Sequence, residues 1–126
     1  MSVKKIYYNK LIRDNIPAKM KKHGTAFETK KLDKNKYEKA LLAKVEEEAG
    51  GVRRAKTKKE LISEIADILV VIEEILKSQK IKPSDFCSAK KENIKKKGGF
   101  SKRLWLVWSA DDGYKTNEKR TNKKRN

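Results

Sequence analysis

The chain has 126 residues, 34 Lys and Arg against 17 Asp and Glu, a net charge of +17, and only 37% hydrophobic residues. One small domain with a modest core is expected, and so thin an apolar content predicts that pairing with a second copy completes it. No apolar run approaches the ~20 residues of a membrane span, and no apolar stretch follows residues 1–5, so neither a membrane segment nor a leader is expected.

Cys87 is the only cysteine, which excludes an internal disulfide and fits a reducing, cytoplasmic setting. Its expected role is that of a small half-buried side chain rather than a reactive thiol. The positive field suits polyanionic partners such as nucleotides or nucleic acid. Lysine greatly outnumbers arginine, and the bias also reads as adaptation to a lysine-rich cytoplasm with no functional message.

Along the chain, residues 6–11 predict a short strand or extended arm. Residues 12–23 predict a basic helix stopped by Gly24, with Pro17 near its first turn. A connector over 25–32 leads to Asp33, which caps a helix predicted over 34–54. There Tyr37, Leu41, Val45, Ala49 and Val52 recur at steps of three and four and predict one buried stripe. Gly50 and Gly51 interrupt it, each costing about 1 kcal/mol of helix relative to Ala, so the last turns are expected to bend or fray.

Thr57-Lys58-Lys59-Glu60 is a capping box. It opens a helix whose apolar face holds Leu61, Ile65, Ile68, Leu69, Ile72, Ile75 and Leu76. Pro83-Ser84-Asp85 starts another, predicted to run to Lys97 and stop at Gly98-Gly99. Residues 104–108 form a short apolar run, a strand or a docking segment. From 111 to 126 the chain is basic and unpatterned, a disordered tail beyond a domain of residues 1–110.

The two long helices carry acids at the edge of each apolar stripe. At ~100° per residue, Glu48 lies beside Val45 and Val52, Glu47 a little further round, and Glu46 points to solvent. Glu64 and Asp67, three apart, project from one side, with Glu60 one turn away. Antiparallel packing would bring the two acidic edges together. Crowded carboxylates resist ionisation unless a cation joins them, and oxygen-only ligands suit Mg²⁺ or Mn²⁺. By spacing alone these acids read better as solvated helix edges paired with lysines.

Four blocks add context. Tyr8-Asn9-Lys10-Leu11-Ile12-Arg13-Asp14-Asn15-Ile16-Pro17, Lys44-Val45-Glu46-Glu47-Glu48-Ala49, Glu64-Ile65-Ala66-Asp67-Ile68-Leu69 and Lys96-Lys97-Gly98-Gly99-Phe100 with Leu104 follow in order. Together they resemble the MazG-like nucleotide pyrophosphohydrolases, relatives of phosphoribosyl-ATP pyrophosphohydrolase, in the branch that removes non-standard nucleotides. The resemblance implies an all-α helical bundle completed by dimerisation, with short extended segments near both ends. It implies Mg²⁺- or Mn²⁺-dependent cleavage of a nucleoside triphosphate between its α and β phosphates, giving a monophosphate and pyrophosphate.

By position, the resemblance makes Glu47, Glu48, Glu64 and Asp67 the metal-binding and catalytic acids, and Asn9, Lys10, Arg13 and Lys44 the substrate-binding groups. It does not imply a place in histidine biosynthesis. Two positions depart from the family pattern: Gly51 stands where a further glutamate is expected, and Val70 where relatives often carry one. Gly51 is therefore expected to leave a coordination position to water and to weaken metal binding, and Gly51→Glu to restore it.

The competing expectation is a module of the same fold that holds nucleotide or nucleic acid without hydrolysis. Trp105, Trp108 and Tyr114 near the basic tail would stack on bases, or else Trp105 and Trp108 serve as core or dimer contacts. No helix-turn-helix, zinc-finger or RNA-recognition signature accompanies them.

Overall fold

A computed structural model describes residues 3–114 of the chain. They hold four helices: α1 (Ile16–His23), α2 (Lys34–Arg54), α3 (Lys58–Ser78) and α4 (Pro83–Lys97). Among the described residues there is no strand, so the all-α expectation holds. The chain forms two compact units, Met1–Lys90 and Lys91–Asn126.

Local chemistry explains each helix start. The Asp33 carboxylate accepts from the Lys36 N–H at 2.9 Å and caps α2. The Thr57 hydroxyl accepts from the Glu60 N–H at 3.1 Å, and the Glu60 carboxylate turns back to the Lys56 N–H at 2.9 Å. This is the expected capping box, except that its return bond reaches one residue before the cap. α4 opens on Pro83, whose missing N–H is one of the unpaired donors of any helix start.

α1 begins later than the sequence predicts, at Ile16 rather than Ile12. Pro17 is the reason. In a helix starting at residue 12 it would sit beyond the first turn, lacking its hydrogen bond and pressing on the carbonyl of Arg13. Instead Arg13 O accepts from the Ile16 N–H at 3.1 Å, closing a turn before the helix. Gly24 then ends α1 at φ 85°, a left-handed conformation that glycine adopts without strain.

Within the first unit, α2 and α3 pack as an antiparallel hairpin. The start of α2 meets the end of α3 through Ser78 Oγ, which donates to Glu38 at 3.1 Å, and Tyr37 Oη, which faces Glu74. Leu41 on α2 and Val71 on α3 are the two buried apolar side chains of the seam. α2 does not fray: it runs unbroken through Gly50 and Gly51 to Arg54. Packing against α3 offsets the weak propensity of the glycines.

The stripes differ from expectation at particular residues. Ala49 is exposed, because eight residues from Leu41 place it roughly 80° round the helix. Leu61, Ile65 and Leu69 are also exposed, at 38%, 41% and 51%. They form a second apolar row centred roughly 120° from Val71, which α2 does not cover.

Residues 6–11 and 104–108 are irregular rather than strands. A lone extended segment has no ladder to join. Leu104, Trp105, Leu106, Val107 and Trp108 are all more than 60% exposed. Cys87 is likewise exposed rather than half-buried. Of the tail expected over 111–126, residues 115–126 lie outside the described residues.

Candidate metal centre

Seven residues is nearly two helical turns, drifting only ~20°. Glu48 is seven residues after Leu41, and Glu64 seven before Val71. In an antiparallel hairpin both therefore stand in the seam itself, one layer from its apolar centre. Asp67, three residues on from Glu64, projects from the same side. Ligand oxygens of Glu48, Glu64 and Asp67 all lie within 4.8 Å of one another, and all three residues are half-buried.

The surroundings act on these acids unequally. Burial raises the pKa of Glu48 from its ordinary value, and the neighbouring charges of Asp67, Glu47 and Glu64 add to the rise. Lys44, with Nζ 3.8 Å from Glu48, opposes it.

Glu47 does not join the group. Its carboxylate takes a hydrogen bond from Lys10 Nζ and an ion pair with Lys44 Nζ at 2.7 Å. The hydrogen bonds from Lys10 and Lys44 hold its pKa low. Glu47 is thus paired with lysines, as the plainer reading of these helices has it, while its sequence neighbour lies among acids. One residue step of ~100° separates the two environments.

The arm before α1 closes over the same end of α2. Lys44 Nζ donates to Leu11 O at 3.0 Å, Lys10 reaches Glu47, and Arg13 Nη1 lies 3.2 Å from Asp67 Oδ1. Asn9 turns the arm with φ 47°, a left-handed conformation that asparagine tolerates better than most residues. Asn9, Lys10, Ala43, Lys44 and Glu47 line an open depression of about 300 Å³. All four expected substrate-binding residues, Asn9, Lys10, Arg13 and Lys44, therefore gather beside the acids.

The space in front of Gly51 is not empty. The Glu64 carboxylate fills it, and a Cβ at residue 51 would stand 2.9 Å from Glu64 Cδ. Sequence periodicity carries no sign of this contact, since it depends on the register of α2 against α3. Glu60, read as an extension of the acid row, is instead engaged at the start of α3.

The donor set fits a small hard cation. It is all oxygen, with several negative charges. Neighbouring ligands of a Mg²⁺ octahedron stand about 3 Å apart, so three oxygens within 4.8 Å of one another would draw together around a bound ion. No protein-family model, no curated protein and no solved structure matches the chain.

Proposed function

We propose that the chain is a Mg²⁺- or Mn²⁺-dependent nucleoside triphosphate pyrophosphohydrolase of the MazG-like kind. The observation that carries this reading is the convergence of Glu48, Glu64 and Asp67 from two helices, with Lys10, Arg13 and Lys44 alongside. The reaction adds water across the α–β phosphoanhydride, releasing a nucleoside monophosphate, pyrophosphate and a proton.

Glu48, Glu64 and Asp67 hold the cation, which when bound polarises the phosphate and lowers the pKa of the attacking water. Arg13 and Lys10, now paired with Asp67 and Glu47, exchange those carboxylates for phosphate oxygens. The guanidinium fork matches two such oxygens at once, and the ammonium of Lys10 adds a point charge. Lys44 stays behind them, fixing the arm through Leu11 O and offsetting the charge of Glu48.

A second copy of the chain belongs to the same proposal. The row Leu61, Ile65 and Leu69 on α3 is exposed along one helix face, and a two-helix seam with two buried apolar residues is a small core. Pairing α3 across a two-fold axis gives a four-helix bundle with that row inside.

The test is pyrophosphate release from a panel of standard and modified nucleoside triphosphates, with Mn²⁺ or Mg²⁺ and with EDTA. Metal-dependent release that disappears in Glu48→Gln supports the reading, and silence across the panel sinks it. A second reading, nucleic-acid binding without hydrolysis, draws on Trp105 and Trp108, both 78% exposed beside Lys102 and Arg103. Oligonucleotide affinity that falls steeply with salt, without any hydrolysis, would select it.

A further inference from the structure

The two adjacent glycines of α2 are alike in backbone and unlike in surroundings. Both lie inside the continuous helix, and the glycines with positive φ are Gly24, Gly98 and Gly113. Conformational freedom therefore does not account for glycine at 50 or 51. Room does, and only at one of them. A Cβ on Gly50 would meet the guanidinium end of Arg54, with Nη1 at 2.9 Å. That long, exposed side chain swings into solvent without consequence. A Cβ on Gly51 would meet the carboxylate of Glu64, with Cδ at 2.9 Å and Oε2 closer still.

We infer that Gly51 is the notch in α2 that seats Glu64, and that the missing side chain is what lets this carboxylate reach Glu48 and Asp67. Gly51 is a positioning residue and touches no ligand itself. The colliding atoms are the free end of a flexible side chain, so even an alanine at 51 evicts the carboxylate and leaves the hairpin intact. The cluster then drops from three acids to two. Its consequence for metal binding rests on the divalent-cation reading above; the contact between Gly51 and Glu64 does not.

Stability and metal binding separate under this inference. Alanine at either position favours the helix, so Gly50→Ala and Gly51→Ala each raise the Tm, on the order of 4 °C. Only Gly51→Ala weakens Mn²⁺ binding, by roughly 10- to 100-fold, the range typical for disturbing the support of a metal ligand.

Two measurements on the full chain test it: Mn²⁺ titration of wild type, Gly50→Ala and Gly51→Ala, and a crystal structure of metal-free Gly51→Ala. The expected result is selective loss of Mn²⁺ in Gly51→Ala, with the Glu64 carboxylate moved out of reach of Glu48 and Asp67. Equal Mn²⁺ affinity in all three proteins, or an equal loss in both variants, overturns the inference. So does a Glu64 carboxylate that keeps its place in the Gly51→Ala crystal structure. Wild type that takes up no Mn²⁺ overturns the metal reading instead, and the crystal structure then decides the role of Gly51 alone.

Discussion

Arg13 Nη1 lies 3.2 Å from Asp67 Oδ1, so the arm before α1 is tied to the one aspartate of the acid cluster. The pair is half exposed, with side-chain accessibilities of 57% and 40%. Its stabilising effect is accordingly small, and its importance is as a counter-charge that must give way when a cation arrives.

Arg13→Ala is therefore expected to shift the Tm by no more than about a degree or two while changing the site in two opposite directions. Mn²⁺ binds a few-fold more tightly, because a competing cation has left Asp67. Under the proposed reaction, kcat/KM falls by about 10- to 100-fold, the cost of one charge-assisted phosphate contact of ~1.5–3 kcal/mol. Arg13→Lys keeps the charge but not the fork, and recovers only part of the rate. Mn²⁺ titration and initial-rate measurements of pyrophosphate release check both directions.

Glu48→Gln is expected to stabilise the protein in EDTA at neutral pH. The folded pKa of Glu48 is raised, first by burial and then by its acidic neighbours. A raised carboxylate pKa means that the ionised form opposes folding. The penalty is full above the folded pKa and vanishes below the unfolded value of about 4.3. The variant should melt higher than wild type at pH 7, and at the same temperature near pH 4. Saturating Mn²⁺ reverses the neutral-pH ranking, since only wild type then gains from the ion. Thermal melts across pH, with and without Mn²⁺, decide it.

The Lys10–Glu47 pair has the opposite sign. The hydrogen bond with Lys10 lowers the pKa of Glu47, and the same bond raises that of Lys10. Its contribution is whole between the unfolded values of about 4.3 and 10.4, and is lost below the folded Glu47 pKa and above the folded Lys10 pKa. Lys10→Met should lower the Tm slightly within that window and leave it unchanged at the acid end. A uniform Tm loss down to about pH 2 would mean that the lysine acts by packing and not by charge.

Ile65→Asp is the test of self-association. Ile65 is 41% exposed, in the middle of the row formed by Leu61 and Leu69. A charge there leaves one hairpin's own seam undisturbed and opposes burial against a second copy. Sedimentation of wild type should give a dimer or a larger assembly, and the variant a monomer. A monomeric wild type removes the second copy from the proposal.

Much of the chain's architecture was legible because helix ends are local. Asp33, Thr57, Pro83 and Gly98 act on backbone groups no more than four residues away, and those bonds follow from sequence order. The exception is the start of α1, where the constraint of Pro17 outweighs the pattern that precedes it. The acids Glu48, Glu64 and Asp67 were legible as residues in phase with an apolar stripe. Their convergence follows from antiparallel packing of the two acidic edges, but the separation of Glu47 from them does not.

Tertiary structure decided which carboxylates meet. The apolar arc of α3 is wide enough to face α2 in more than one rotation, so periodicity leaves the contact line open by tens of degrees. That angle separates an acid in the seam from one on the lysine side, as Glu48 and Glu47 illustrate. The contact of Gly51 with Glu64 is likewise invisible along the chain, where the glycine reads as a weak point in the helix and as a missing glutamate. Its meaning comes from Glu64, thirteen residues away in sequence and in contact only once α2 and α3 have set their register. Residue order determines what each helix is and where it stops; which faces touch is settled by packing between segments that share no local bond.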